Sequence, residues 1–194
     1  MYLKLINNEF RVTPKYRPQN LAQDPITKIW LEEEVLKSFY NMNKAMQQAR
    51  LSPLILVTGY RSFAHQKLLY NTKLENLERL MPSDDAQSVI NVLPPGSSEF
   101  QAGLSVEVCT TTMIEEEKEL HEFEFTFHKK WAHSNCINYG FVIRYPADKV
   151  HITKVDYKPY HFRYVGINHA KKMCKLNLCL EEYLNQYKNL RFNL

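Results

Sequence analysis

The sequence predicts a single α+β domain with helices packed against a mainly antiparallel sheet. Two observations lead there. Short strand-like runs closed by glycine or proline are interspersed with stretches whose apolar residues recur at helical spacing. No internal repeat or low-complexity linker divides the 194 residues, which suffice for one domain with a sizeable core. Hydrophobic residues at 44% and charged residues at 24% suit a globular chain and not a disordered one. The expected organisation is an N-terminal strand and long helix, residues 1–50, packing on a core unit of residues 51–194.

The elements follow in order. "MYLKLI" alternates weakly, suggesting a short strand, and an irregular lead-in containing Pro and Asn follows it. From Asp24 to Pro53, residues Ile29, Leu31, Val35, Leu36, Phe39, Met42 and Met46 form a helical stripe; Asp24 serves as N-cap, Pro25 as first helical residue and Pro53 as stop. "LILVTGYRS" reads as a buried strand running into a turn, residues 63–80 as a helix, and 81–97 as a loop of Pro, Ser, Asp and Gly. "GLSVEVC" alternates like a strand, and the acidic run 114–122 suits a solvated loop or short helix. A helix over 126–138 should end near Gly140, where glycine takes the left-handed conformation. "FVIRYP" and "HFRYVG" complete the strands, and 167–190 hold one or two short helices.

Composition excludes several functions. The net charge of +4 is not gathered into a basic face with stacking aromatics, so nucleic acid is not an expected partner. No stretch approaches the ~18 apolar residues of a membrane span. "MYLKLINNEF" lacks the basic region and apolar run of a secretory leader; the expectation is a cytoplasmic chain, or an extracytoplasmic one whose leader has been removed. Cys109, Cys136, Cys174 and Cys179 show no CxxC spacing and read as free thiols in a reducing compartment.

Several segments, in order, resemble the VanY-type D-alanyl-D-alanine carboxypeptidases, of the zinc peptidase superfamily that includes lysostaphin-like enzymes and the hedgehog domain. They are "TGYRSFAHQKLLYN" (58–71), "PPGSSEFQAGLSVEV" (94–108), "NYGFVIRYP" (138–146), "YKPYHFRYVG" (157–166) and "LNLCLEEYL" (176–184). The resemblance implies the fold of that family and, as its activity, hydrolysis of peptidoglycan peptides. It also implies a zinc site built from a histidine, an aspartate seven residues later and the histidine of E-x-W-H, whose glutamate is the general base. At those positions this chain has Phe100, Glu107, His161 and, for the base, Lys158.

These replacements carry physical consequences. Phe100 offers no lone pair. Glu can ligate zinc, but its extra methylene moves the carboxylate about 1.5 Å, beyond the ±0.2 Å tolerance of a metal–ligand distance. A protonated Lys158 is no base and repels a dication. The expectation is therefore a catalytically inactive homologue that needs no cofactor, with a Lys158–Glu107 ion pair standing where the metal stood and Phe100 filling the rest. Alternatively, Lys158 extends to solvent. The resemblance makes Arg61, Gln66 and Ser98 groove residues, with Arg61 suited to a peptide carboxylate; each also has a structural reading, as a salt bridge for Arg61 and as a turn or helix bond for the other two. The expected partner is a peptide C-terminus, possibly peptidoglycan-derived, or a protein. The rival reading is an active zinc carboxypeptidase using Glu107, His161 and a third group such as His65. The remaining histidines, 121, 128, 133, 151 and 169, have no ligand spacing, and Cys179 replaces a threonine N-cap of the last helix.

Overall fold

The computed structural model describes residues 2–191, with side chains through Gln186. Two short strands, β1 (Leu21–Gln23) and β2 (Trp30–Glu32), form an antiparallel hairpin; α1 (Glu33–Gln48) follows directly. Then come β3 (Ile55–Thr58), α2 (Phe63–Glu78), α3 (Ser83–Val89), β4 (Ser105–Cys109), α4 (Thr111–Glu115), α5 (Phe127–Asn135), β5 (Phe141–Ile143), α6 (Val150–Thr153), β6 (His161–Tyr164), α7 (Ile167–Leu176) and α8 (Leu180–Arg191). The main sheet is antiparallel throughout, in the order β3-β4-β6-β5. No helix among the described residues is long and apolar enough to cross a membrane.

Strand alternation places core and cleft on opposite faces of this sheet. Val106 pairs with Phe162, and Val108 with Leu56, on the face packed against α1. There Leu31, Val35, Phe39, Met42 and Met46 are buried with Phe123, Ala132 and Phe141. Each such side chain contributes about 1.5–3 kcal/mol by leaving water. On the other face Ser105 pairs with Arg163 and Glu107 with His161, and all four are buried. A smaller apolar cluster of Val142, Val165, Ala170, Met173, Leu180 and Tyr183 seats α7 and α8.

Four local expectations need correction. The helix starts at Glu33 and not at Asp24, because Asp24 closes the hairpin: its carboxylate accepts from Thr27 N (2.7 Å) and Thr27 Oγ1 (2.6 Å), and Lys28 turns at φ 62°. Ile29 and Leu31 therefore belong to the hairpin, and the Glu32 carboxylate caps the helix by accepting from Glu34 N at 2.9 Å. "MYLKLI" pairs with no strand; its backbone instead meets Arg163, described below. β3 is an edge strand and only half-buried, with Leu56 inside and Val57 exposed. The 81–97 stretch contains α3, anchored by buried Ala86. In the last helix the Glu182 carboxylate accepts from Cys179 N at 2.9 Å, the reciprocal half of a capping box, which leaves the cap position itself to the weakly accepting thiol.

The hairpin holds the loops that carry the cleft. Tyr60 N donates to Trp30 O at 2.7 Å, and Glu32 N donates to Gly103 O at 2.9 Å. At Gly59 a Cβ would lie 2.4 Å from Ile29 Cγ2 and 2.6 Å from Trp30 O, so only glycine permits this crossing. Gly103, at φ 68°, ends the 3-10 turn Glu99–Ala102 and leads into β4.

Candidate functional site

Sheet register builds the floor of the site. Thr58, Glu107 and His161 lie in one row across β3, β4 and β6. The loop before β4 brings Ser98, Glu99 and Phe100 against this row, and Arg61 N donates to Phe100 O at 3.1 Å, tying the β3–α2 turn to it. The result is a cleft of about 730 Å³ whose lining includes Arg61, Gln66, Ser98, Phe100, Glu107 and Lys158.

Glu99 organises the buried side of the cleft, a role the sequence reading did not assign to it. Its carboxylate, 1% exposed, accepts from Ser105 Oγ and Arg144 Nε, from His161 Nε2 at 2.8 Å and from Arg163 Nη1 at 3.5 Å. Burial opposes its ionisation, yet the Arg144 guanidinium, the His161 bond and Arg163 hold its carboxyl well below the usual range. Arg144 is also gripped by both Glu181 oxygens, at 2.6 and 3.0 Å. Arg163 donates to the Tyr2 and Lys4 carbonyls at 3.1 and 2.7 Å and to Tyr164 O at 3.1 Å. The available signal was the polar alternation of "GLSVEVC" and "HFRYVG", which puts charged side chains on a sheet face that loops and helices cover.

The Glu99 contact also orients His161. A carboxylate only accepts, so Nε2 carries the hydrogen toward Glu99. Nδ1 then points toward Glu107 Oε1, 3.5 Å away, buried and without a hydrogen-bond partner. The imidazole lies 4.9 Å from the Phe100 ring and 4.9 Å from the edge-on Tyr145 ring. Burial resists ionisation of Glu107, but His161, Lys158 and Thr58 bring its carboxyl down to about 2. Lys158 Nζ stands 3.7 Å from Glu107 Oε1. The Lys158 backbone is fixed by bonds from its N to Tyr145 O and from His161 N to its own carbonyl, at 3.1 and 3.2 Å.

Arg61 lies over the Phe100 ring at 4.6 Å, and its Nη1 and Nη2 reach Gln66 Oε1 and Thr58 Oγ1 at 3.5 Å each. Burial lowers its pKa and the Glu107 charge raises it. Gln66 is itself buried and donates to Leu93 O at 2.7 Å, so it ties α2 to the loop ahead of the site. Ser98 is buried in the cleft wall. His65 is not brought in: it is exposed on α2, outside the residues that line the cleft. The structure therefore removes it as a third ligand. His133 and His128 are occupied elsewhere, with Pro159 O and Ser52 Oγ.

The donors present do not fit a catalytic zinc. His161 Nδ1 and Glu107 Oε1 are two oriented donors, the next wall is the Phe100 ring, and an ammonium stands 3.7 Å from one of the two. A catalytic zinc keeps three protein ligands and an open position. Among the described residues no group of three His, Cys, Asp or Glu side chains converges on a common point.

The profile of the VanY family, D-alanyl-D-alanine carboxypeptidase, matches residues 28–167. The chain belongs to the VanY family. A D-alanyl-D-alanine carboxypeptidase of Enterococcus faecium is 33% identical over 160 residues; the match covers 82% of this chain and 46% of that protein. Among solved structures, vancomycin resistance D,D-pentapeptidase VanY from a VanB-type resistance cassette, in complex with Zn(II), superposes with a TM-score of 0.78 at 29% identity and covers 94% of this chain and 98% of its own. VanYB in complex with D-alanine-D-alanine gives 0.77 at 28%, covering 95% and 97%. The α+β antiparallel fold expected from the sequence is the fold of these relatives. Their activity is peptide hydrolysis, and nothing in these matches marks this chain as inactive.

Proposed function

We propose that the cleft holds the C-terminal end of a peptidoglycan stem peptide, and that this chain binds that end without the zinc-dependent hydrolysis of its relatives. The observation that carries the reading is the Lys158 ammonium, 3.7 Å from Glu107 at the position where the family pattern has its base. VanYB in complex with D-alanine-D-alanine supports the ligand class. In this reading the Arg61 fork faces the peptide carboxylate, while Gln66 and Ser98 shape the wall. The Glu99 network fixes the orientation of the His161 ring, and Glu107 faces Lys158 as its counter-charge. A metal held here would have only His161 and Glu107 from the chain, and its chemistry would be activation of a water.

A second reading, an active zinc carboxypeptidase with a non-standard ligand set, is favoured by one specific distance and by the relatives' activity. His161 Nδ1 and Glu107 Oε1 are 3.5 Å apart. Two ligands on one tetrahedral zinc at 2.0–2.1 Å stand about 3.4 Å apart. Incubation of the purified chain with a peptide ending in D-Ala-D-Ala, with and without added zinc, separates the two readings. The binding reading expects a calorimetric isotherm and no D-alanine above background. Release of D-alanine that zinc stimulates and His161→Ala abolishes would establish the hydrolase instead.

A further inference from the structure

We propose that Lys158 acts beside Arg61 as a second, metal-independent anchor for the free carboxylate of the bound peptide, a role that the family's glutamate at this position cannot take. The inference rests on the binding reading above and goes further, by giving the lysine a ligand-binding role. Lys158 lines the cleft with its side chain only 31% exposed. At 3.7 Å its contact with Glu107 is longer than a hydrogen bond, and its ammonium makes no hydrogen bond to another described residue. Three donors on a largely buried cation are therefore open to the cleft.

Arg61 is in a similar position. It has no carboxylate within 4 Å among the described residues, and its two contacts, to neutral Gln66 and Thr58, lie at 3.5 Å, the outer limit of a hydrogen bond. The deeper carboxylate, Glu99, is already taken up by Arg144, Arg163 and His161. Arg61 and Lys158 thus share Glu107, and the exposed Lys154 and Asp156 of the cleft rim offset each other. A cleft with one cation in excess favours an anion, and an oxygen pair of one carboxylate suits both a guanidinium fork and an ammonium. The Phe100 ring beneath Arg61 gives that ligand an apolar floor in place of a metal. The two backbone bonds fix where the Lys158 stem enters the cleft, while its side-chain torsions are ordered by the ligand itself.

Calorimetric titration in the presence of chelator tests this, using N-acetyl-L-lysyl-D-alanyl-D-alanine as the free acid and as the C-terminal amide. The wild-type chain should bind the acid at least about tenfold more tightly than the amide, a difference that should shrink with added salt. Lys158→Met should weaken the acid about tenfold and leave the amide unchanged, whereas Lys158→Arg should retain most of the preference. Equal affinity of acid and amide for the wild type, or a requirement for zinc, overturns the inference even if the variants fail to fold. Undiminished acid binding by folded Lys158→Met overturns it too, while the broader peptide-binding reading survives. Absence of binding to either probe overturns that broader reading.

Discussion

Replacing Glu99 by Gln should destabilise the fold by about 3 kcal/mol at neutral pH. The change keeps the volume, so no cavity forms, but it removes a buried charge that faces two guanidinium groups and an imidazole. Breaking a buried pair and leaving its partner charged costs about 3–5 kcal/mol. Arg144 retains its two-oxygen contact with Glu181, and Arg163 retains the carbonyls of Tyr2, Lys4 and Tyr164, which sets the loss near the lower end. With an m-value of roughly 2 kcal/mol/M, the urea midpoint should fall by about 1.5 M. The effect should also depend on pH. The Glu99 carboxyl titrates well below its unfolded value in the native chain, so its stabilisation is fully present above the unfolded pKa of about 4.3. That stabilisation is lost as pH falls through the folded value, so the gap between wild type and variant should narrow in acid solution, below the unfolded pKa. Midpoints within about 0.3 M of each other at pH 7 would refute the assignment of Glu99 as the charge hub.

A double-mutant cycle with Lys158→Met and Glu107→Gln should give a coupling of about 1–2 kcal/mol: the pair is closer to buried than to exposed, but its 3.7 Å separation is long. A coupling within about 0.5 kcal/mol of zero in urea denaturation would mean that the two side chains do not act on each other. The combined change Phe100→His, Glu107→Asp and Lys158→Glu should create a zinc site that holds close to one metal per chain through dialysis, with binding recovered before turnover; metal analysis beside the wild type checks it, and a wild-type chain that already retains one zinc would show that the triple change was unnecessary.

The parts of this molecule that were legible in the sequence are those governed by periodicity. The stripe Val35 to Met46 reads correctly as a core helix face because burial dictates it. The start of that helix did not, because Asp24 accepts from a backbone amide three residues on in both a helix cap and a hairpin turn, and only the partner strand decides between them. Likewise, α3 has one buried residue and no apolar stripe to announce it. In the site, Arg61, Gln66 and Ser98 all reach the cleft wall, placed by an ordered resemblance and not by spacing. Glu99 was overlooked because nothing local shows that one carboxylate will meet donors from positions 105, 144, 161 and 163; those partners are brought together by strand order alone.

The substitutions at the family's metal positions make more electrostatic sense together than singly. Glu107 keeps the charge of the aspartate in the family pattern, and Phe100 is as uncharged as the histidine it replaces. Lys158 in place of a glutamate base changes the local charge by two units in the positive direction, and an absent zinc changes it by two in the negative. The pocket with lysine and no metal therefore carries the same formal charge as the family's pocket with zinc and its base. Glu107 depends on that balance, because a carboxylate only 10% exposed needs a cation within a few ångströms to remain ionised. The Lys158 ammonium at 3.7 Å provides one, and it adds to His161 and Thr58 in keeping the Glu107 carboxyl near 2. The two cations differ in chemistry: an ammonium attracts a peptide carboxylate as a dication does, but it cannot lower the pKa of a bound water or take its proton. On the binding reading proposed above, a site altered in this way holds an acidic peptide end without the groups that would cut it, and zinc-stimulated release of D-alanine by the unaltered chain would refute it.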